Sequence, residues 1–186
     1  MAIKWKHDDS PTMYFCTFTC YQWLPLIDIV KGYDMVYKWF DYLKQQGYGT
    51  VAYVIMPNHI HTILYFPNLR FNLNKIIGNA KRFMAYEIIK RLKQLKRQDV
   101  LDNLANGVSA REKRKGQLHK VFTDSFDAKG IYTEKFFSQK FDYIHYNPVT
   151  GKWKLVSDYV EYEHSSASFY ETGETKNFEP FDFRLL

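Results

Sequence analysis

Two hydrophobic periods alternate along this chain and divide it into strands and helices. Met13–Tyr21 is an aromatic, apolar run of strand length. Ile29–Gln46 switches to helical spacing, with Val30, Tyr33, Val36, Tyr37, Phe40 and Leu43 on one stripe, and Gly47 and Gly49 as stop signals. Val51–Ile55 and Thr62–Phe66 return to strand character on either side of Pro57-Asn58, which reads as a hairpin turn. A second helix is predicted over 73–96. Ile76, Ile77, Ala80, Phe83, Met84, Ile88 and Leu92 form its buried stripe, while Lys81, Arg82, Lys90 and Arg91 lie on the opposite side. Asp99–Gln117 has few large apolar residues and reads as a long basic loop, in which Ser109-x-x-Glu112 is placed to cap a short helix. His119–Thr123 is expected to be the last strand. Thr133–Tyr146 then has Phe137, Phe141 and Ile144 at helical spacing, and Pro148 ends it because the residue before a proline is pushed out of the α region. The aromatic segment from Trp153 onward is expected to wrap irregularly on the surface.

This order, β-α-β-β-α-(β)-α, predicts an α+β protein: a ferredoxin-like antiparallel sheet with helices on one face. The 186 residues suit one domain over 1–186, with a core of about 13–156 and a C-terminal tail of 157–186.

The hairpin carries the first candidate chemistry. Residues two apart on a strand share a face, so His59 and His61 are expected to stand side by side as a seat for a metal ion. Six histidines are spread over the chain, and His7, His119 and His164 have no partner at ligand spacing. In the third helix, Tyr143 and Asn147 are separated by i, i+4 and should share a face one turn apart. Taken singly, a helical tyrosine is usually a boundary side chain and an asparagine before proline usually marks a helix end. His145 falls on another face and reads as structural.

Composition narrows the setting. The net charge of +6 favours a polyanionic partner, and an aromatic fraction of 18% argues against wholesale disorder. No apolar run approaches the roughly 20 residues that span a bilayer, and the polar N-terminus lacks the apolar core of a signal peptide. A cytoplasmic, nucleoid-associated protein without membrane contact is expected. Cys16 and Cys20 share a strand face but would lie about 13 Å apart, too far for a disulfide. They read as buried thiols in a reducing compartment.

Met56-Pro57-Asn58-His59-Ile60-His61, then Lys81-Arg82-Phe83, then Asp142-Tyr143-Ile144-His145-Tyr146-Asn147-Pro148-Val149 resembles the single-tyrosine HUH transposases of the insertion-sequence-200 type. The likeness is greatest to the REP-associated tyrosine transposases and extends over about 13–169. It implies Tyr143 as catalytic nucleophile, His59, His61 and Asn147 as ligands of a divalent metal (Mg²⁺ or Mn²⁺), and single-stranded DNA with hairpins of palindromic repeats as substrate. Some members of this group complete the active site across a homodimer and others within one chain. The chain departs from the usual pattern at Val121-Phe122-Thr123, where many relatives carry Trp-Gln.

A phenol ionises near pH ~10 and is a poor nucleophile until a cation is close. Two imidazoles and an amide would let a divalent ion grip a phosphate oxygen and still leave positions open. Lys81, Arg82, Lys90 and Arg91 of the second helix, with Arg114 and Lys115 of the basic run, are the candidate contacts to the DNA backbone. Two alternatives stand beside strand transfer. One is an HUH endonuclease of replication or conjugation, with Tyr146 as a second tyrosine; the other is a non-catalytic nucleic-acid-binding ferredoxin-like module.

Overall fold

The structure is a computed structural model that describes residues 12–68 and 70–186; His7 and the polar N-terminal stretch lie outside them. Four antiparallel strands, β1 (Met13–Thr19), β2 (Gly49–Ile55), β3 (His59–Tyr65) and β4 (Asp127–Ile131), form one sheet in the order β2-β3-β1-β4. The helices are α1 (Leu26–Ile29), α2 (Tyr33–Gln45), α3 (Leu73–Gln94), α4 (Gln98–Asn106), α5 (Ala110–Arg114), α6 (Glu134–Tyr146) and α7 (Ala167–Thr172). The ferredoxin-like strand order arises because each of β1 and β2 pairs with β3, so α2 must cross the sheet to connect them. None of the described helices is long and apolar enough to cross a membrane.

The expectation of helices on one face holds only for part of the molecule. Phe18, Ile60, Leu64 and Tyr53 point from the sheet into a core with α2, α3 and α4. Phe15, Val51, Val54 and Ile63 point the other way and bury Phe137 and Ile144 of α6. The strands are apolar on both sides, β2 being buried along its whole length, so both faces need a cover. The continuous apolar runs carried that information; the ferredoxin-like pattern has only one helical layer.

Two further expectations are corrected. The stretch 99–117 is not a long loop: α4 buries Val100, Leu101 and Leu104 against the α2–α3 core, and α5 begins with the full Ser109–Glu112 capping box. A short helix needs only a few anchors when a longer neighbour is already in place. The last strand is β4 at 127–131 rather than 119–123, where Phe122 makes a lone bridge to Cys20. As an edge strand with only Ile131 buried, β4 shows no apolar alternation and leaves little sequence signal.

The C-terminal tail is more than a surface wrap. It runs along the open edge of β2, where Ile55 N donates to His164 O (2.9 Å), Ser166 N to Tyr53 O (3.0 Å) and Phe181 N to Thr50 O (2.8 Å). Covering this edge satisfies backbone groups that would otherwise template aggregation. Cys16 and Cys20 are free, buried thiols, and burial pushes both up to about 12.

Candidate active site

The β2–β3 turn fixes the histidine pair. Met56, Pro57 and Asn58 are all buried, which a turn tolerates only if its backbone is satisfied. Cys20 N donates to Asn58 O (2.8 Å), Ile27 N to Pro57 O (3.0 Å) and Met56 N to His59 O (2.8 Å). Leaving this turn, β3 presents His59 and His61 on the α6 side of the sheet with ring centroids 4.7 Å apart. Helix α6 begins at Thr133, whose side chain accepts from Phe136 N, and its buried stripe of Phe137 and Ile144 docks it on the same face. The result brings Tyr143 to His61, ring centroids 5.0 Å apart. Asn147, at the end of α6, lies close enough to His59 to influence its protonation. All four residues expected to form the catalytic and metal set therefore meet in one place.

Each imidazole is held at its Nδ1 atom. Asn58, wholly buried, donates Nδ2 to the Trp23 carbonyl at 3.0 Å, so its Oδ1 is the atom that lies 2.6 Å from His59 Nδ1. An amide oxygen can only accept; the His59 proton therefore sits on Nδ1 and Nε2 carries the lone pair. Thr17 lies directly across the strand pair from His61 and places Oγ1 at 2.6 Å from its Nδ1, where it can accept in the same way. His61 Nε2 is buried with no hydrogen-bond partner. A buried nitrogen left without a partner is costly, and a cation is one group that relieves it. Burial also keeps both rings neutral: it lowers His59 to about 4, offset in part by Asn147, and holds His61 well below the usual imidazole range, aided by the repulsion that a protonated His59 would exert and by the Lys140 ammonium. Among the described residues no cluster of three His, Cys, Asp or Glu side chains that could hold a metal ion exists, so a third protein ligand would be of another type, such as the Asn147 amide.

Tyr143 is 48% exposed and thus open to a substrate. Its ring is flanked by Phe15 (6.1 Å) and by the Lys140 ammonium, 5.4 Å from the ring centroid. Lys140 also sits 4.9 Å over Phe15. The arrangement provides an accessible phenol, a cation beside it, and two neutral imidazoles, of which His61 has an unpartnered Nε2. That set suits attack on a phosphodiester.

Neither a protein-family model nor a curated protein sequence matches the chain. Among solved structures it is similar to a REP-associated tyrosine transposase bound to a REP hairpin, with a TM-score of 0.62 and 16% identity over 97% of this chain and 93% of that one. The fold is that of a tyrosine transposase. A presumed transposase from Deinococcus radiodurans R1 is a weaker likeness, with a TM-score of 0.44 and 16% identity over 77% of this chain and 95% of that one, and adds nothing to the assignment.

Within this fold the sheet separates the expected DNA contacts of α3 from the histidine pair, because α3 packs on the face opposite α6. Two of those contacts are engaged inside the protein. Lys81 donates to the carbonyls of Thr123 (2.6 Å), Asp124 and Ser125, and Arg91 makes a two-pronged pair with Asp34 (2.7 and 2.9 Å) and bonds Glu87. Arg82 lies over Phe83, Lys90 is 3.5 Å from Glu87, and Arg114 and Lys115 are exposed at the end of α5. A cavity of about 1100 Å³ between α2 and α3 is also on that side. Tyr146 packs against Tyr159, ring centroids 4.3 Å apart with planes tilted by 44°. His145 is buried with Nε2 2.8 Å from Ser166 Oγ, and His164 stacks on Tyr33, so both are structural.

Four residues of the site escaped the sequence reading. Lys140 was legible, being on the helical stripe that also carries Tyr143 and Asn147. Asn58 was read only as a turn residue. Thr17 and Phe15 depend on the β1–β3 register, which no local pattern supplies.

Proposed function

We propose that this protein cuts and rejoins single-stranded DNA through a covalent bond between Tyr143 and a 5′ phosphate. The observation that carries this reading is the exposed Tyr143 against His61, whose buried Nε2 has no partner. Tyr143 Oη attacks phosphorus, an O–P bond to the phenol forms, the bond from phosphorus to the 3′ oxygen breaks, and that oxygen leaves as a 3′-hydroxyl with one proton. The phosphotyrosine keeps the free energy of the phosphodiester, so attack by a 3′-hydroxyl rejoins strands in the same site.

His59, His61 and Asn147 are the residues that would hold a divalent cation, Mg²⁺ or Mn²⁺. When bound it would withdraw charge from a non-bridging phosphate oxygen and orient the phosphorus. Asn58 and Thr17 hold the imidazoles in orientation. Lys140 places positive charge beside the phenol as it loses its proton. Tyr143, His59, His61 and Asn147 come from one chain, which supports a site complete within a protomer. The transposase of the same fold is bound to a REP hairpin, and hairpin-bearing strands are the proposed substrates here.

The test is to incubate labelled single-stranded hairpin oligonucleotides with protein and Mn²⁺, then denature and look for a covalent adduct by gel. Tyr143→Phe should abolish it. An adduct of wild-type yield with Tyr143→Phe would refute the assignment.

A further inference from the structure

Trp23 stands beside His59 in an exposed and conformationally costly position. Its ring centroid lies 5.6 Å from that of His59, with planes inclined at 71°, so the contact uses at most one face of the indole. The side chain is nevertheless 57% exposed. A tryptophan usually gives up such area to a core; this one leaves a flat aromatic surface in solvent at the rim of the imidazole pair.

The backbone that holds it there is unusual. Gln22 and Trp23 have φ of +52° and +58°, two successive non-glycine residues in the left-handed region. That region is sterically disfavoured for side chains with a Cβ and is visited by such residues mostly where the surroundings enforce it. Here the surroundings are identifiable. Trp23 N donates to Cys20 O (3.1 Å), and the buried Asn58 donates to the Trp23 carbonyl (3.0 Å) while its oxygen faces His59 Nδ1. One amide thus fixes both the imidazole and the backbone that carries the indole. Burial of the ring does not repay the backbone strain, because the ring is mostly unburied.

We infer that Trp23 is a nucleobase-binding platform, on which an unpaired base of single-stranded DNA stacks next to the His59–His61 pair. The choice of ligand rests on the strand-cleavage reading. A base offers a π-face to an exposed indole whatever its identity, so the subsite would fix the path of the strand without selecting its sequence. Asn58 would then hold the strand and the histidine pair in a constant relation.

Binding of a labelled 20-nucleotide oligothymidine, compared with a strand of equal length made of abasic sites, tests this by fluorescence anisotropy at constant salt. Trp23→Gly removes the ring and relieves the positive φ, so folding is not at risk; Trp23→Phe keeps an aromatic face. Wild-type protein should favour oligothymidine, and Trp23→Gly should weaken that binding about tenfold, within the range for one stacked base. Affinity for the abasic strand should not change, and Trp23→Phe should keep most of the preference. Equal weakening on both strands, or no change on oligothymidine, would overturn the platform. Adduct formation is scored separately: base preference through Trp23 without any Tyr143 adduct would leave the platform standing and remove the cleavage reading.

Discussion

Tyr143 meets His61 edge to face, with ring centroids 5.0 Å apart and planes inclined at 71°. The contact joins the exposed face of α6 to the only strand position whose buried imidazole nitrogen, among the described residues, has no partner. The two residues should therefore separate experimentally. His61→Ala is expected to abolish Mn²⁺ binding in calorimetry and to lower adduct formation by more than the roughly 10–100-fold typical for loss of an outer partner. Tyr143→Phe keeps the ring and should still bind Mn²⁺, and EDTA should stop adduct formation in the wild type. Mn²⁺ binding that survives His61→Ala would place the ion elsewhere.

Asn58 is wholly buried and bonded on both sides. Asn58→Ala should lower stability by about 1–3 kcal/mol in urea unfolding, because the Trp23 carbonyl and His59 Nδ1 lose their partner inside the protein. It should also weaken Mn²⁺ binding about 10–100-fold, since His59 loses the bond that selects its tautomer. A variant that loses stability but keeps Mn²⁺ affinity would assign Asn58 to folding alone.

Lys140 lies 5.4 Å from the centre of the Tyr143 ring and raises the positive potential at His61. Lys140→Met, which preserves length and contact with Phe15, is expected to slow adduct formation on the order of a hundredfold, comparable to removing one group that stabilises developing negative charge. Lys140→Arg should restore part of the rate. An unchanged single-turnover rate in Lys140→Met would leave this cation without a part in the chemistry.

Asp34 ties α2 to α3 through Arg91, whose hydrogen bonds are the main reason the carboxyl is held at about 2. Since the folded pKa is below the unfolded one, the pair stabilises the protein above about pH 4 and loses its effect as pH falls through about 2. Asp34→Asn should cost about 1 kcal/mol near pH 7, a small figure because the carboxylate is 45% exposed. The difference from wild type should shrink as the solution is acidified toward pH 2 in urea titrations. A difference independent of pH would point to packing rather than charge.

How far the chain announced itself differs by element. Helix α6 was readable nearly to the residue, since Thr133, the Phe137–Phe141–Ile144 stripe and Pro148 mark its start, its buried side and its end. The two histidines on one strand face, and Tyr143 and Asn147 on one helix face, follow from local periodicity. By contrast β4 and α4 were missed: an exposed edge strand carries little apolar pattern, and the stripe of α4 is only Val100, Leu101 and Leu104 in a stretch otherwise rich in polar residues.

The sequence by itself determined the secondary structure that carries the chemistry: which residues share a face depends only on the repeat of each element. It could not determine which face of the sheet α6 covers, or that Thr17 faces His61 across the β1–β3 pair. Those depend on register and docking, which are set by contacts between residues far apart in the chain. The dual role of Asn58 belongs to the same class, since Trp23 reaches it only when the 3-10 turn at Tyr21–Trp23 is folded against the β2–β3 hairpin. The basic stripe of α3 is the converse case. Its charges were plain in the sequence, but packing set Lys81 and Arg91 to work inside the protein, on elements that need their donors.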